Sequence, residues 1–144
     1  MKRICILTLI LCFAVCGTAS CDDGFPIPQD RLPASVTAFL EDHFPGQTLL
    51  YVERDGLEYE AHFNNGWEVT FSRSGEWRHV DCQRDAVPAS VLQLLPQKLL
   101  QYLETNFSGL SVVDVEKNAR GYEIGLSRDI DLKFSLSGEF RRFD

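Results

Sequence analysis

Tyr59–Asp81, YEAHFNNGWEVTFSRSGEWRHVD, decides the fold, because it returns 63 residues later as Tyr122–Asp144, YEIGLSRDIDLKFSLSGEFRRFD. Extended backward without a gap, the match sets Leu32–Asp81 over Leu95–Asp144 and contains 17 identities in fifty positions. They include Pro33/Pro96, Leu40/Leu103, Phe44/Phe107, Glu53/Glu116, Glu60/Glu123, Phe71/Phe134 and Gly75/Gly138, with Phe39/Tyr102 and Trp77/Phe140 conservative besides. Agreement at this density marks a duplicated module, and a repeat has to be recognised before any single element is read.

Each copy opens with a predicted helix. Pro33 suits a first turn, where its missing N–H is not needed. Val36, Phe39, Leu40 and Phe44 then follow the spacing of one apolar helical face, as do Leu99, Tyr102, Leu103 and Phe107 in the second copy. Pro45-Gly46 and Ser108-Gly109 are the expected stops, with glycine in the left-handed cap. Val87–Leu92 predicts an extra helical turn, and Pro96 a bend after it.

Four strands are expected after each helix: 48–54, 57–64, 67–72 and 76–81, then 111–117, 121–127, 130–135 and 139–143. Asp55-Gly56, Asn65-Gly66, Ser74-Gly75 and Ser137-Gly138 supply tight turns. Connections this short force antiparallel neighbours, because a parallel crossover needs about a dozen residues. The fold class is therefore α+β, a tandem duplication in which each module packs a helix on a four-stranded antiparallel sheet. Period-two alternation puts Tyr59, Ala61, Phe63, Trp67, Val69 and Phe71 on the core face, with Tyr122, Ile124, Leu126, Ile130, Leu132 and Phe134 as counterparts. Glu58, Glu60, His62, Glu68 and Thr70 fall on the opposite, wet face, as do Glu123, Asp131 and Lys133.

Outside the repeat, Met1-Lys2-Arg3 followed by apolar Ile4–Val15 and small residues to Ser20 reads as a secretory signal peptide over residues 1–21. The apolar run is shorter than the roughly 20 residues of a membrane-spanning helix. Thr18-Ala19-Ser20-Cys21 resembles a bacterial lipobox with Cys21 as the acylated residue; cleavage near Ala19 to Asp22 without lipid is the alternative. The expected organisation is signal peptide 1–21, linker 22–31, first module 32–82 and second module 83–144. The expected location is the periplasm or the outer membrane of a Gram-negative bacterium, with membrane attachment only through Cys21.

Of five cysteines, Cys82 alone lies in the body of the chain, so the core must hold without an internal disulfide. The formal net charge is −7, and losing Lys2 and Arg3 with the signal peptide makes it about −9. Such a chain lacks the cations that displace phosphate counterions, which excludes a general nucleic-acid binder.

The pattern Leu-Pro, helix, Phe-Pro-Gly and then YEAHFNNGWEVTFSRSGEWRHVD resembles the PepSY-like family of exported bacterial proteins, also described as β-lactamase-inhibitor-like. Its most specific parts are Asn65-Gly66-Trp67-Glu68-Val69 and Ser74-Gly75-Glu76-Trp77; the second copy departs from the first of these at Asp129-Ile130-Asp131-Leu132. The resemblance implies a fold similar to the β-lactamase inhibitory protein, whose sheets form a concave protein-binding surface. It does not imply inhibition of a β-lactamase, because fold does not carry function.

Nothing in line points to catalysis. His79-Val80-Asp81-Cys82 sets a thiol beside acid and base, but in a strand Cys82 faces away from His79 and Asp81. No Cys-x-x-Cys or His-x-x-x-His occurs, no loop has calcium-ligand spacing, and no phosphate-cradling glycine loop is present, so no metal and no cofactor is expected. Glu60 and Glu123 are the nearest thing to a carboxylate pair, expected at equivalent places in two separate sheets. The remaining surface is the wet face, with Tyr51, Glu53, Glu58, Glu60, His62, Glu68, Thr70, Arg78, Lys133 and Arg141 as candidate protein-binding residues. The leading expectation is a non-enzymatic exported protein that binds an envelope or secreted protein through this face. A small-ligand or peptide binder using the cleft between modules is the alternative, and a hydrolase using Cys82 comes third.

Overall fold

The computed structural model describes residues 25–144; the expected signal peptide, residues 1–21, and the expected acylation position Cys21 lie outside them. A two-residue strand β1 (Phe25–Pro26) and a 3-10 turn at Gln29–Arg31 lead into helix α1 (Ala34–His43). Strands β2 (Leu49–Asp55), β3 (Glu58–Phe63), β4 (Glu68–Ser72) and β5 (Trp77–Asp81) follow. Helices α2 (Ala89–Leu92) and α3 (Gln97–Phe107) precede β6 (Val112–Asn118), β7 (Gly121–Leu126), β8 (Ile130–Phe134) and β9 (Phe140–Phe143). Each expected strand boundary from β2 onward lies within one residue of the observed one. Among the described residues no helix is long and apolar enough to cross a membrane.

The expectation of two separate sheets needs correction. All the strands join one antiparallel sheet in the order β1 to β9, each hydrogen-bonded to its neighbour in the chain. The join is β5 on β6, in the register His79↔Glu116, Val80↔Val115 and Asp81↔Asp114. An unpaired edge strand leaves a row of backbone N–H and C=O groups without partners. Pairing β5 with β6 satisfies them and leaves Val80 and Val115 with no exposure. The connection is tied in by Cys82 N–H to Val113 C=O and Val87 N–H to Val112 C=O.

The apolar face is as expected from the alternation. Ala61, Val69, Phe71, Ile124 and Leu132 have no exposed surface, and Phe63, Leu126 and Phe134 have next to none. Val36, Leu40 and Phe44 cover the first half; Leu99 and Leu103 cover the second. Phe39 meets Phe71 edge-on at 5.4 Å, and Tyr102 meets Phe134 the same way at 5.5 Å. Edge-to-face pairs at such distances add to the burial itself. Trp67 and Trp77 both pack on the core side; the Trp67 indole N–H donates to Asp85 at 3.0 Å, and Trp77 stacks on Phe39.

Two local expectations were wrong in mechanism. Neither Gly46 nor Gly109 takes a positive φ. Helix α1 instead ends at Phe44, at φ −128, whose N–H still reaches Leu40 C=O. The β7–β8 turn, which lacks the Asn-Gly of the β3–β4 turn, places Arg128 and Asp129 at φ 74 and 57. Left-handed backbone at non-glycine residues costs about 1–2 kcal/mol each, which the surrounding strands must hold in place.

Candidate functional site

One continuous sheet turns the wet face into two rows of side chains running across the whole molecule. The first row, read by register from β2 to β9, is Glu53, Glu60, Thr70, His79, Glu116, Glu123, Lys133, Arg142. The second is Tyr51, His62, Glu68, Asp81, Asp114, Gly125, Asp131. Neighbouring strands lie about 4.8 Å apart, so the first row spans roughly 34 Å. Along it, glutamates occupy the β2–β3 end and Lys133 and Arg142 the β8–β9 end.

Of the expected face residues, Glu53, Glu60, His62, Glu68, Thr70 and Lys133 are half-buried among their row neighbours and Arg78 is half-buried outside the rows, whereas Tyr51, Glu58 and Arg141 are exposed. Tyr51 stacks on His62 with ring centroids 4.6 Å apart. His62 lies between two carboxylates, with Nε2 3.1 Å from Glu53 Oε1 and Nδ1 3.3 Å from Glu68 Oε1. Arg78 sits at a strand irregularity and lines an open depression of about 390 Å³ with Leu57, Glu58, Arg73, Glu116 and Lys117. Arg141 joins Arg120, Lys133 and Arg142 around a second recess of about 250 Å³. Lys133 Nζ reaches Glu123 at 3.4 Å and Asp144 at 2.8 Å, and both carboxylates raise its pKa, the hydrogen bond to Asp144 most.

Glu60 and Glu123 stand in one row on one sheet, not in two sheets, and four strand spacings put them roughly 19 Å apart. Carboxylates that do stand directly opposite each other include Glu53 with Glu60 and Glu116 with Glu123 in the first row, and Glu68 with Asp81 and Asp81 with Asp114 in the second. Like charges directly opposite each other are unfavourable in a sheet. Burial raises the Glu60 pKa; His62 opposes this, while Glu68, Glu53 and Asp55 add to the rise.

The sequence reading missed His79, Asp81, Asp114, Glu116 and Arg142 as members of the rows. The 63-residue spacing pairs Glu116 with Glu53, but no local signal announces that β5 lies against β6. His79 Nε2 hydrogen-bonds Asp114 Oδ2 across this join. That bond raises the His79 pKa above its ordinary 6.5, with desolvation opposing and Asp114, Asp81 and Glu116 adding charge attraction. A raised folded-state pKa gives stability that is complete below the unfolded value and is lost as pH rises through the folded one. The melting-temperature gap between wild type and His79→Gln is therefore expected to be wider at about pH 6 than at about pH 8. A gap that does not change over this interval would dismiss the His79–Asp114 ion pair.

Cys82 has no exposed surface, and burial pushes its thiol up to about 12. A thiolate is the reactive form, so this cysteine is in no state to act as a nucleophile. Glu53, Glu60 and His62 each offer a ligand atom within 4.8 Å of the others, a convergence across two strands that no in-line motif signals.

A family model described as "Putative beta-lactamase-inhibitor-like, PepSY-like" matches residues 22–72 and again residues 57–142. The chain belongs to the PepSY-like family. Solved structures similar to this PepSY-like chain include a "putative calcium-regulated periplasmic protein" of Bacteroides thetaiotaomicron. It is 31% identical with a TM-score of 0.78, over 85% of this chain and 98% of that one. Two proteins of Bacteroides vulgatus are also similar. One, a "putative periplasmic protein from DUF2874 family", is 26% identical with a TM-score of 0.77, over 86% of this chain and 98% of that one. The other, a "putative periplasmic protein of unknown function", is 27% identical with a TM-score of 0.73, over 80% and 93%. No curated protein matches this chain significantly.

Proposed function

We propose that this PepSY-like chain is an exported, non-enzymatic binding protein that engages an envelope or secreted protein through the open face of its sheet. The observation that carries this reading is the charge order along the first row, with Glu53 and Glu60 at one end and Lys133 and Arg142 at the other. A broad surface with fixed, opposed charges recognises a partner of complementary pattern and fixes its orientation. Exposed Tyr51 adds an aromatic anchor of the kind enriched at binding hot spots. The inert Cys82 speaks against the hydrolase reading, and the depressions on this face are open rather than enclosed, unlike a small-ligand cavity.

We read residues 32–82 and 83–144 as two modules of one tandem repeat, with the β5–β6 join making their sheets continuous. Export rests on the basic and apolar start of the chain and agrees with the periplasmic description of the Bacteroides neighbours. In this reading Cys21 is the residue that would anchor the protein to a membrane.

The test is affinity capture from the native envelope with the wild-type domain and with a Glu60→Ala, Glu68→Ala, Arg78→Ala variant as parallel baits. The expected result is a protein retained by the wild type and lost from the variant. Equal capture by both would move the site off this face, and no protein with either would leave the small-ligand alternative in its place.

A further inference from the structure

We propose that Glu53, Glu60 and His62 form a binding site for a first-row divalent transition-metal ion of the Zn²⁺ type. The inference goes beyond the partner-binding reading and does not depend on it. Its first support is convergence: the three ligand atoms, two carboxylate oxygens and one imidazole nitrogen, lie within 4.8 Å of one another. Around a tetrahedral ion bound at about 2.0–2.2 Å, donors sit roughly 3.3–3.5 Å apart, so small side-chain rotations close the set.

The second support is the orientation of His62. Its Nε2 faces Glu53, while Nδ1 faces Glu68 on the opposite side of the ring at 3.3 Å. A ligating histidine characteristically gives its other ring nitrogen to a carboxylate, which fixes the tautomer and raises the basicity of the ligating nitrogen. Glu68 is placed to do this, and the stacked Tyr51 ring restrains the imidazole from one side.

The third support is the chain's own comparison between its halves. Glu116 and Glu123 repeat the opposed carboxylates of Glu53 and Glu60 at the 63-residue spacing. There the next strand supplies a fixed cation, Lys133, 3.4 Å from Glu123. In the first half the equivalent of Lys133 is Thr70, which carries no charge, and the equivalent of Gly125 is His62. The first half thus exchanges a built-in ammonium for a nitrogen ligand. An imidazole beside two carboxylates suits zinc-like ions, whereas calcium takes six to eight oxygens.

The experiment is titration of the untagged, metal-free protein with Zn²⁺ by calorimetry, with Ca²⁺ in a parallel arm and Co²⁺ absorption as a report on nitrogen ligation. One Zn²⁺ per chain is expected, bound more tightly than Ca²⁺. His62→Gln and Glu60→Gln should each weaken it by at least tenfold, and Glu68→Gln by roughly tenfold through loss of the ring's orientation. Glu123→Gln and His79→Gln should leave it unchanged, and a single cooperative melting transition of every variant without metal shows that each has folded. Absence of stoichiometric Zn²⁺ binding, binding indifferent to His62→Gln, or preference for Ca²⁺ would each overturn the assignment.

Discussion

Phe134→Ala is expected to destabilise the protein by about 3–5 kcal/mol, and Phe71→Ala by a similar amount. Each ring is almost wholly buried, at 2% and 0% exposure, and each meets a helix aromatic edge-on, Tyr102 or Phe39. Truncation removes the apolar transfer term, leaves a cavity beneath the helix and breaks the aromatic pair together. For a chain of this size the melting temperature should fall by roughly 10–20 °C. Phe143 is the control. Register places it beside Leu132 on the same face, yet β9 is the last strand and the ring is 60% exposed. Phe143→Ala should therefore cost under about 1 kcal/mol. Because β5 and β6 bury Val80 and Val115 between the halves, each variant should melt in one transition followed by thermal circular dichroism. Wild-type-like melting of both buried-ring variants would mean that the core face is reversed. A transition split in two would mean that the β5–β6 join does not couple the halves.

Much of this fold is legible in the residues. The turn pairs Ser74-Gly75 and Ser137-Gly138 take the positive φ expected of them, 83 and 81 at the glycines. The alternation from Tyr59 to Phe71 assigns the faces, and the 63-residue repeat carries the assignment to the second half. What escapes a single sequence is contact between segments that no short turn connects. Val80 and Val115 read only as apolar strand residues, and two helices lie between them, so nothing local states that they are partners. The candidate site follows the same division. Glu60 and His62, two apart on one strand, share a face by period alone. Glu53 joins them only through the β2–β3 register, and Glu68 only through that of β3–β4. His79 reads as a boundary residue until β6 brings Asp114 to it.

The second large effect is expected at Gly121, where Ala should cost about 3–5 kcal/mol by adding two penalties. The residue opens β7 at φ +146, backbone that an L side chain rarely adopts. A Cβ there would stand 1.9 Å from the Phe134 carbonyl oxygen and 2.9 Å from its carbon. Those atoms are backbone of β8, which cannot rotate away as the end of a flexible side chain can. The strand itself would have to move, and with it Phe134 on the core face and Lys133 on the open one. Gly56→Ala separates the two penalties, because Gly56 has φ +54 but nothing within 4 Å of an added Cβ. It should cost only about 1–2 kcal/mol, the conformational part alone. The repeat offers no warning of this position, since its counterpart Glu58 has a negative φ and a full side chain. Chemical denaturation of the two variants decides the matter: equal losses would mean that β8 yields freely, and a Gly121→Ala loss several-fold larger would show that its backbone is held from both faces of the sheet.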